Sequence, residues 1–104
     1  MTEESAVFER ILERMRRLVR EGQYVVTVHG VEAMEDDELT VFDVERCLLR
    51  GSIVERQRDR QRREWKYLVQ GQAVDGTAIA VVVKIGRMHR LVILTVYLVE
   101  GEAQ

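Results

Sequence analysis

Ala78-Ile79-Ala80-Val81-Val82-Val83-Lys84-Ile85 and Leu91-Val92-Ile93-Leu94-Thr95-Val96-Tyr97-Leu98-Val99, joined through Gly86-Arg87-Met88-His89-Arg90, decide how this chain folds. Each run is short, rich in β-branched residues and bounded by turn residues, so it reads as a strand apolar on both faces rather than as a helix. A chain of 104 residues has little else with which to cover both faces of a sheet. A partner, a ligand or a second copy is therefore expected on the face the helices leave.

Working back from these runs, Asp75-Gly76 is a hairpin turn and Trp65 to Gln70 the strand before it. Ser52-Ile53-Val54-Glu55 begins another strand, which dissolves into Arg56-Gln57-Arg58-Asp59-Arg60-Gln61-Arg62-Arg63. Alternating charge of this kind suits an edge strand and a long hairpin tip. Tyr24 to Val28 is a short strand ended by His29-Gly30, with a short helical piece from Val31 to Asp36.

Two longer helices complete the pattern. Val7, Phe8, Ile11, Leu12, Met15, Leu18 and Val19 recur at the spacing of one helix face, with Ser5 as N-cap and the end near Glu21. Met1 to Ser5 reads as a loose end. Thr40 and Asp43 form a capping-box pattern that opens a helix over Val41 to Arg50, and Gly51 closes it. The expected architecture is α+β, an antiparallel, strongly twisted sheet of four to five strands with two main helices packed on one face, in a single domain over residues 1–104.

Composition bounds the function. A hydrophobic fraction of 46% beside 33% charged residues is that of a globular chain rather than a disordered one. No apolar stretch approaches the ~20 residues of a membrane span and no leader pattern opens the chain, so a cytoplasmic protein with no membrane association is expected. One cysteine and two histidines are too few for a disulfide or a recognisable zinc site, and neither a metal nor a cofactor is expected. The net charge of −2 argues against strong non-specific nucleic-acid binding, so RNA is not the favoured partner. The charge is segregated, however: Glu32 to Glu45 holds seven acidic residues and no basic one, whereas Glu55 to Lys66 holds six basic against three acidic.

The faces follow from the pairing. If Ile85 sits opposite Arg90, then Ile79, Val81, Val83 and Ile85 share the core face with Val92, Leu94, Val96 and Leu98. The second face then carries Val82, Leu91, Ile93, Thr95 and Tyr97. If Asp75-Gly76 is a two-residue turn, Trp65, Tyr67 and Val69 join that second face; a three-residue loop reverses the assignment. Aromatics and branched aliphatics on an uncovered face mark an interface. Trp65, Tyr67, Val82, Leu91, Ile93 and Tyr97 are accordingly the expected contact residues of a homodimer, unless the Glu55 to Arg63 hairpin folds back over them. A small-ligand pocket lined by Trp65, Tyr67, Thr95 and Tyr97 is a further possibility.

Thr27-Val28-His29, Met34, Leu39-Thr40 with Asp43-Val44, and Gly51-Ser52-Ile53-Val54-Glu55, followed by Tyr67-Leu68-Val69-Gln70-Gly71, Asp75-Gly76, Ala80-Val81-Val82-Val83 and Ile93-Leu94-Thr95-Val96-Tyr97, resemble in order the blocks of the bacterial family known as domain of unknown function 4258. That family is similar in layout to the BrnT-like and RelE-like ribonuclease toxins, which pack helices on one face of an antiparallel sheet and cut messenger RNA. His29-Gly30-Val31 looks like part of a BrnT block, but Val28 stands where its lysine would be, and no arginine follows Tyr97-Leu98-Val99-Glu100. The resemblance implies, as an alternative, a metal-independent endoribonuclease of a toxin-antitoxin system with an antitoxin or other protein partner. Such chemistry needs a base, an acid and a cation for the phosphorane-like charge, which His29, Tyr97 and Arg58 would supply. The leading expectation is a non-enzymatic interaction module that homodimerises through one sheet face.

Overall fold

The computed structural model describes residues 2–99. In chain order the elements are α1 (Glu3–Arg20), β1 (Tyr24–Val26), α2 (Val28–Asp36), α3 (Val41–Arg50), β2 (Ser52–Asp59), β3 (Glu64–Gln72), β4 (Ala78–Ile85), a single 3-10 turn (Arg87–His89) and β5 (Leu91–Leu98). The strands form one sheet in the order β1-β5-β4-β3-β2. The α+β class and the helix-covered sheet are as expected, but the sheet is mixed rather than purely antiparallel, because β1 runs parallel to β5. A parallel neighbour needs a long crossover, and everything from α2 to β4 serves as one.

The helix ends are set by side-chain oxygens. Thr2, not Ser5, caps α1 and accepts from the Ser5 amide at 3.0 Å, so residues 2–5 are the cap and first turn of a helix; Met1 lies outside the described residues. Thr27 caps α2 in the same way, accepting from the Gly30 amide at 3.0 Å, which ends β1 at Val26 and places His29 in the first turn of a helix instead of at a strand end. The β-branched run Val25-Val26-Thr27-Val28 favours a strand, yet the cap decides its end. At α3 the expected capping box is complete, and Asp43 also accepts from the Val74 amide at 2.9 Å, fastening the β3–β4 loop to the helix start.

Two local details decide which side chains reach the core. Ala73 and Thr77 close the β3–β4 hairpin, leaving Val74, Asp75 and Gly76 as a three-residue loop with Gly76 at φ 92°, a left-handed conformation that glycine adopts without strain. Pairing thus runs Tyr67 with Val83 and Val69 with Val81, and Trp65, Tyr67 and Val69 lie on the helix-covered face. Across the next hairpin Ile85 pairs with Leu91, not Arg90, which brings Leu91 and Ile93 onto the same face. A bulge at Leu94 then shifts the register, so that Val96 returns to the core while Thr95 and Tyr97 face away. Thr27 satisfies the bulge by donating from its amide to the Ile93 carbonyl and from its hydroxyl to that of Leu94.

Leu12, Met15, Leu18 and Val19 of α1 and Val44, Cys47 and Leu48 of α3 pack with Val69, Ile79, Val81, Val83, Leu91, Ile93 and Val96 to form the core. α3 sits close to β3 only because Gly51 and Gly71 face each other: a Cβ on Gly51 would lie 2.3 Å from the Gln70 carbonyl oxygen. β2 does not dissolve after Glu55. Its ladder with β3 continues to Asp59 opposite Glu64, and the arginine-rich tip is a short turn that does not fold over the second face.

Candidate functional site

The register that buries Trp65 and Tyr67 gives them new neighbours. On β2, Arg58 stands directly opposite Trp65 and Arg56 opposite Tyr67. The Arg56 guanidinium lies 4.4 Å from the Trp65 ring centroid and that of Arg58 5.1 Å, so both engage the π-face of the chain's single tryptophan. Arg56 also lies 6.0 Å from the Phe8 ring, which ties the cluster to α1.

Beside this stack a cleft of about 600 Å³ opens between α1, the start of β3 and the β4–β5 connection. Ile11, Trp65, Tyr67 and Ile85 form its floor, and Arg14, Arg63, Arg87 and His89 bring donors to its rim. The connection is sharply bent, with Met88 at φ 63° and His89 at φ 54°, both left-handed. That bend turns His89 toward α1, where its Nδ1 lies 2.8 Å from Arg14 Nη2. Arginine only donates, so Nδ1 is the acceptor in this contact.

The electrostatics are one-sided. The carboxylate among the lining residues, Glu64, is held by Lys84 at 2.9 Å, and that is the one ion pair among the described residues. Arg14, Arg56, Arg58, Arg63 and Arg87 therefore concentrate positive charge at one end of a chain whose net charge is −2. Burial pushes the Tyr67 phenol above its ordinary range against the opposing pull of Arg56 and Arg14.

The residues proposed for RNA cleavage do not converge. Arg58 stacks on Trp65 beside this cleft, whereas His29 is exposed on α2. Tyr97 lies on the opposite face beside Ala80 and Gln70, five β3 positions from Trp65, or about 17 Å along the strand. Nor do the six expected interface residues share a face: Leu91 and Ile93 are fully buried, Tyr67 is 7% exposed and Trp65 is in the cleft, leaving Val82 and Tyr97 on the uncovered side. A pocket of Trp65, Tyr67, Thr95 and Tyr97 is excluded by the same pairing. Of this group the sequence reading names Arg58 alone as a site residue, and it does not bring Arg14, Arg56, Arg63, Arg87 and His89 together around Trp65. Arginines at alternate positions, Arg56 and Arg58, just before an isolated tryptophan were the available signal.

The family model described as domain of unknown function DUF4258 matches residues 26–98, from the last residue of β1 to the last of β5. The chain belongs to the DUF4258 family. The DUF4258 region supplies Trp65, Tyr67 and the connection bearing Arg87 and His89 to the cleft, and Arg56 and Arg58 stacked on Trp65 beside it, while α1, which brings Ile11 and Arg14, precedes it. No curated protein and no solved structure matches the chain, so the layout similarity to BrnT-like and RelE-like toxins gains no support from a relative.

Proposed function

We propose that this DUF4258 protein is a non-enzymatic binding module that takes single-stranded nucleic acid into the cleft around Trp65. The observation that carries this reading is the gathering of Arg14, Arg56, Arg58, Arg63 and Arg87 about one indole with no carboxylate paired to any of them among the described residues. Guanidinium groups bind phosphate bidentately, and aromatic or guanidinium planes stack on bases without regard to sequence. The site is a recess with an indole in its floor, which suits the unstacked bases of a single strand.

Binding is favoured over cleavage by the partners that the cleft's acceptors already hold. Arg14 donates to His89 Nδ1 and so occupies that lone pair. The Glu64 carboxylate is engaged by Lys84. The Glu64 carboxylate and His89 Nδ1 are thus both held by cations.

Fluorescence anisotropy of a labelled mixed-sequence oligonucleotide at low salt tests the reading, with Trp65 emission as an internal reporter. Binding is expected, weakened about tenfold or more in R56A/R58A, since each lost stack or phosphate contact costs ~1–3 kcal/mol. Absence of binding, or binding indifferent to the double substitution, would overturn it. Shortening of the RNA that disappears in R58A would install the ribonuclease reading in its place.

A further inference from the structure

The rim arginines of the cleft come from three separate elements. Arg14 belongs to α1, Arg63 to the β2–β3 turn and Arg87 to the β4–β5 connection, so their charge converges on one recess. None of them pairs with a carboxylate among the described residues. Glu64 is held by Lys84 at 2.9 Å, and Asp59, at the end of β2, accepts from the amides of Gln61 and Arg62 at 3.1 and 3.2 Å. Arg14 gives one donor to His89 Nδ1, which fixes its guanidinium and leaves the remaining donors unused.

The floor adds a second kind of donor. Tyr67 is 7% exposed, yet its hydroxyl has no hydrogen-bond partner among the described residues. Arg16 Nε is the one fully enclosed side-chain polar atom there without a partner, so the Tyr67 oxygen still reaches open space, and its side chain lines the cleft. Buried donors are normally paired, and a bound group with acceptor oxygens would pair this one. The backbone is strained around the same recess. Arg63, Met88 and His89, at φ 56°, 63° and 54°, all line it, and Glu38 alone among the other described non-glycine residues is left-handed. Such conformations persist where their surroundings hold them, and they gather at ligand sites.

Three guanidiniums and a hydroxyl about one recess suit a phosphate monoester better than a link within a strand. An internal phosphodiester offers a single negative charge, whereas a terminal phosphate carries about −1.5 to −2 at pH 7 and presents three acceptor oxygens, which guanidinium groups bind bidentately. We infer that the cleft receives the phosphorylated end of the strand, with Arg14, Arg63, Arg87 and the Tyr67 hydroxyl on the terminal phosphate and Trp65 beside the last base. The inference rests on the nucleic-acid reading and adds to it the part of the strand that is bound.

Anisotropy titrations of the full chain with one internally labelled oligonucleotide in three forms test it: phosphate at the 5′ end, phosphate at the 3′ end, and hydroxyls at both ends. One phosphorylated form is expected to bind about tenfold tighter than the hydroxyl-ended form, the size of one further charge-assisted hydrogen bond, and which form does so gives the polarity of the bound strand. The gain should vanish in R87A and shrink severalfold in Y67F, whereas R56A/R58A weakens all three forms alike. Equal affinity for the three forms, an equal gain from either end, or a gain that survives both R87A and Y67F overturns the inference and leaves the nucleic-acid reading standing. Failure of all three forms to bind overturns both. Should Y67F not fold, R87A decides, because its side chain is exposed.

Discussion

Asp43 shows how much one side chain fastens. Its carboxylate accepts from the Thr40 amide at 2.8 Å and from the Val74 amide at 2.9 Å, joining the start of α3 to the β3–β4 loop. Those backbone donors hold its pKa below the ordinary 3.8, so its contribution to stability is present above that value and disappears as pH falls through the lower folded one. Replacement by Ala is expected to cost about 1–2 kcal/mol at neutral pH, read as a lower urea midpoint, with the gap between variant and wild type closing in strong acid. Tyr24 titrates in the opposite sense. Burial, and then its hydrogen bond to Glu45, raise the phenol from 10.0 to about 12, and burial alone pushes the Cys47 thiol from 9.0 to about 12. Both groups favour the folded state below their unfolded values and lose that contribution as pH rises toward 12. Thermal melts above pH 9 should therefore show a steep fall in Tm, shallower in C47A relative to its own neutral-pH value.

At the scale of elements, the β3–β4 loop sets the fate of a whole strand. Three loop residues place Tyr67 and Val69 in the core, and two would expose both, because the side-chain period of a strand is two. Deleting Val74, whose side chain is 59% exposed, is therefore expected to do far more than remove a surface residue. It forces either a strained loop or a flipped β3, and the lost burial of two large side chains at ~1.5–3 kcal/mol each rivals the stability of a small domain. The readout is loss of a cooperative unfolding transition, whereas V74A should unfold within about 0.5 kcal/mol of the wild type, as surface changes do. The helices were legible because their signals are local. Thr40 and Asp43 mark the start of α3, and the apolar spacing from Phe8 to Val19 marks the buried stripe of α1. The faces of β3 and β5 were not, because each depends on one residue in a loop or a bulge, and Leu94 carries no mark of its own in an unbroken apolar run.

For the whole molecule, net charge misleads where folding sorts charges by place. The sum of −2 is set partly by the acidic stretch of α2 and α3, while the arginines of α1, β2, the β2–β3 turn and the β4–β5 connection collect at the other end. If three to four phosphates are neutralised there, log K should fall against log salt with a slope of about −2 to −3 for a single strand. Titrations over several salt concentrations check this, and R56A/R58A should flatten the slope as well as weaken binding. What the sequence by itself determined is the set of elements, the apolar strands that must lie in a sheet, and the shortage of helix to cover both of its faces, since periodicity and capping act over a few neighbouring residues. Which side chains look toward the helices, and the meeting of Trp65 with Arg56, Arg58, Arg14 and His89, were decided only in the tertiary structure, because strand register depends on contacts between residues far apart in the chain and a shift of one residue reverses every side chain on a strand.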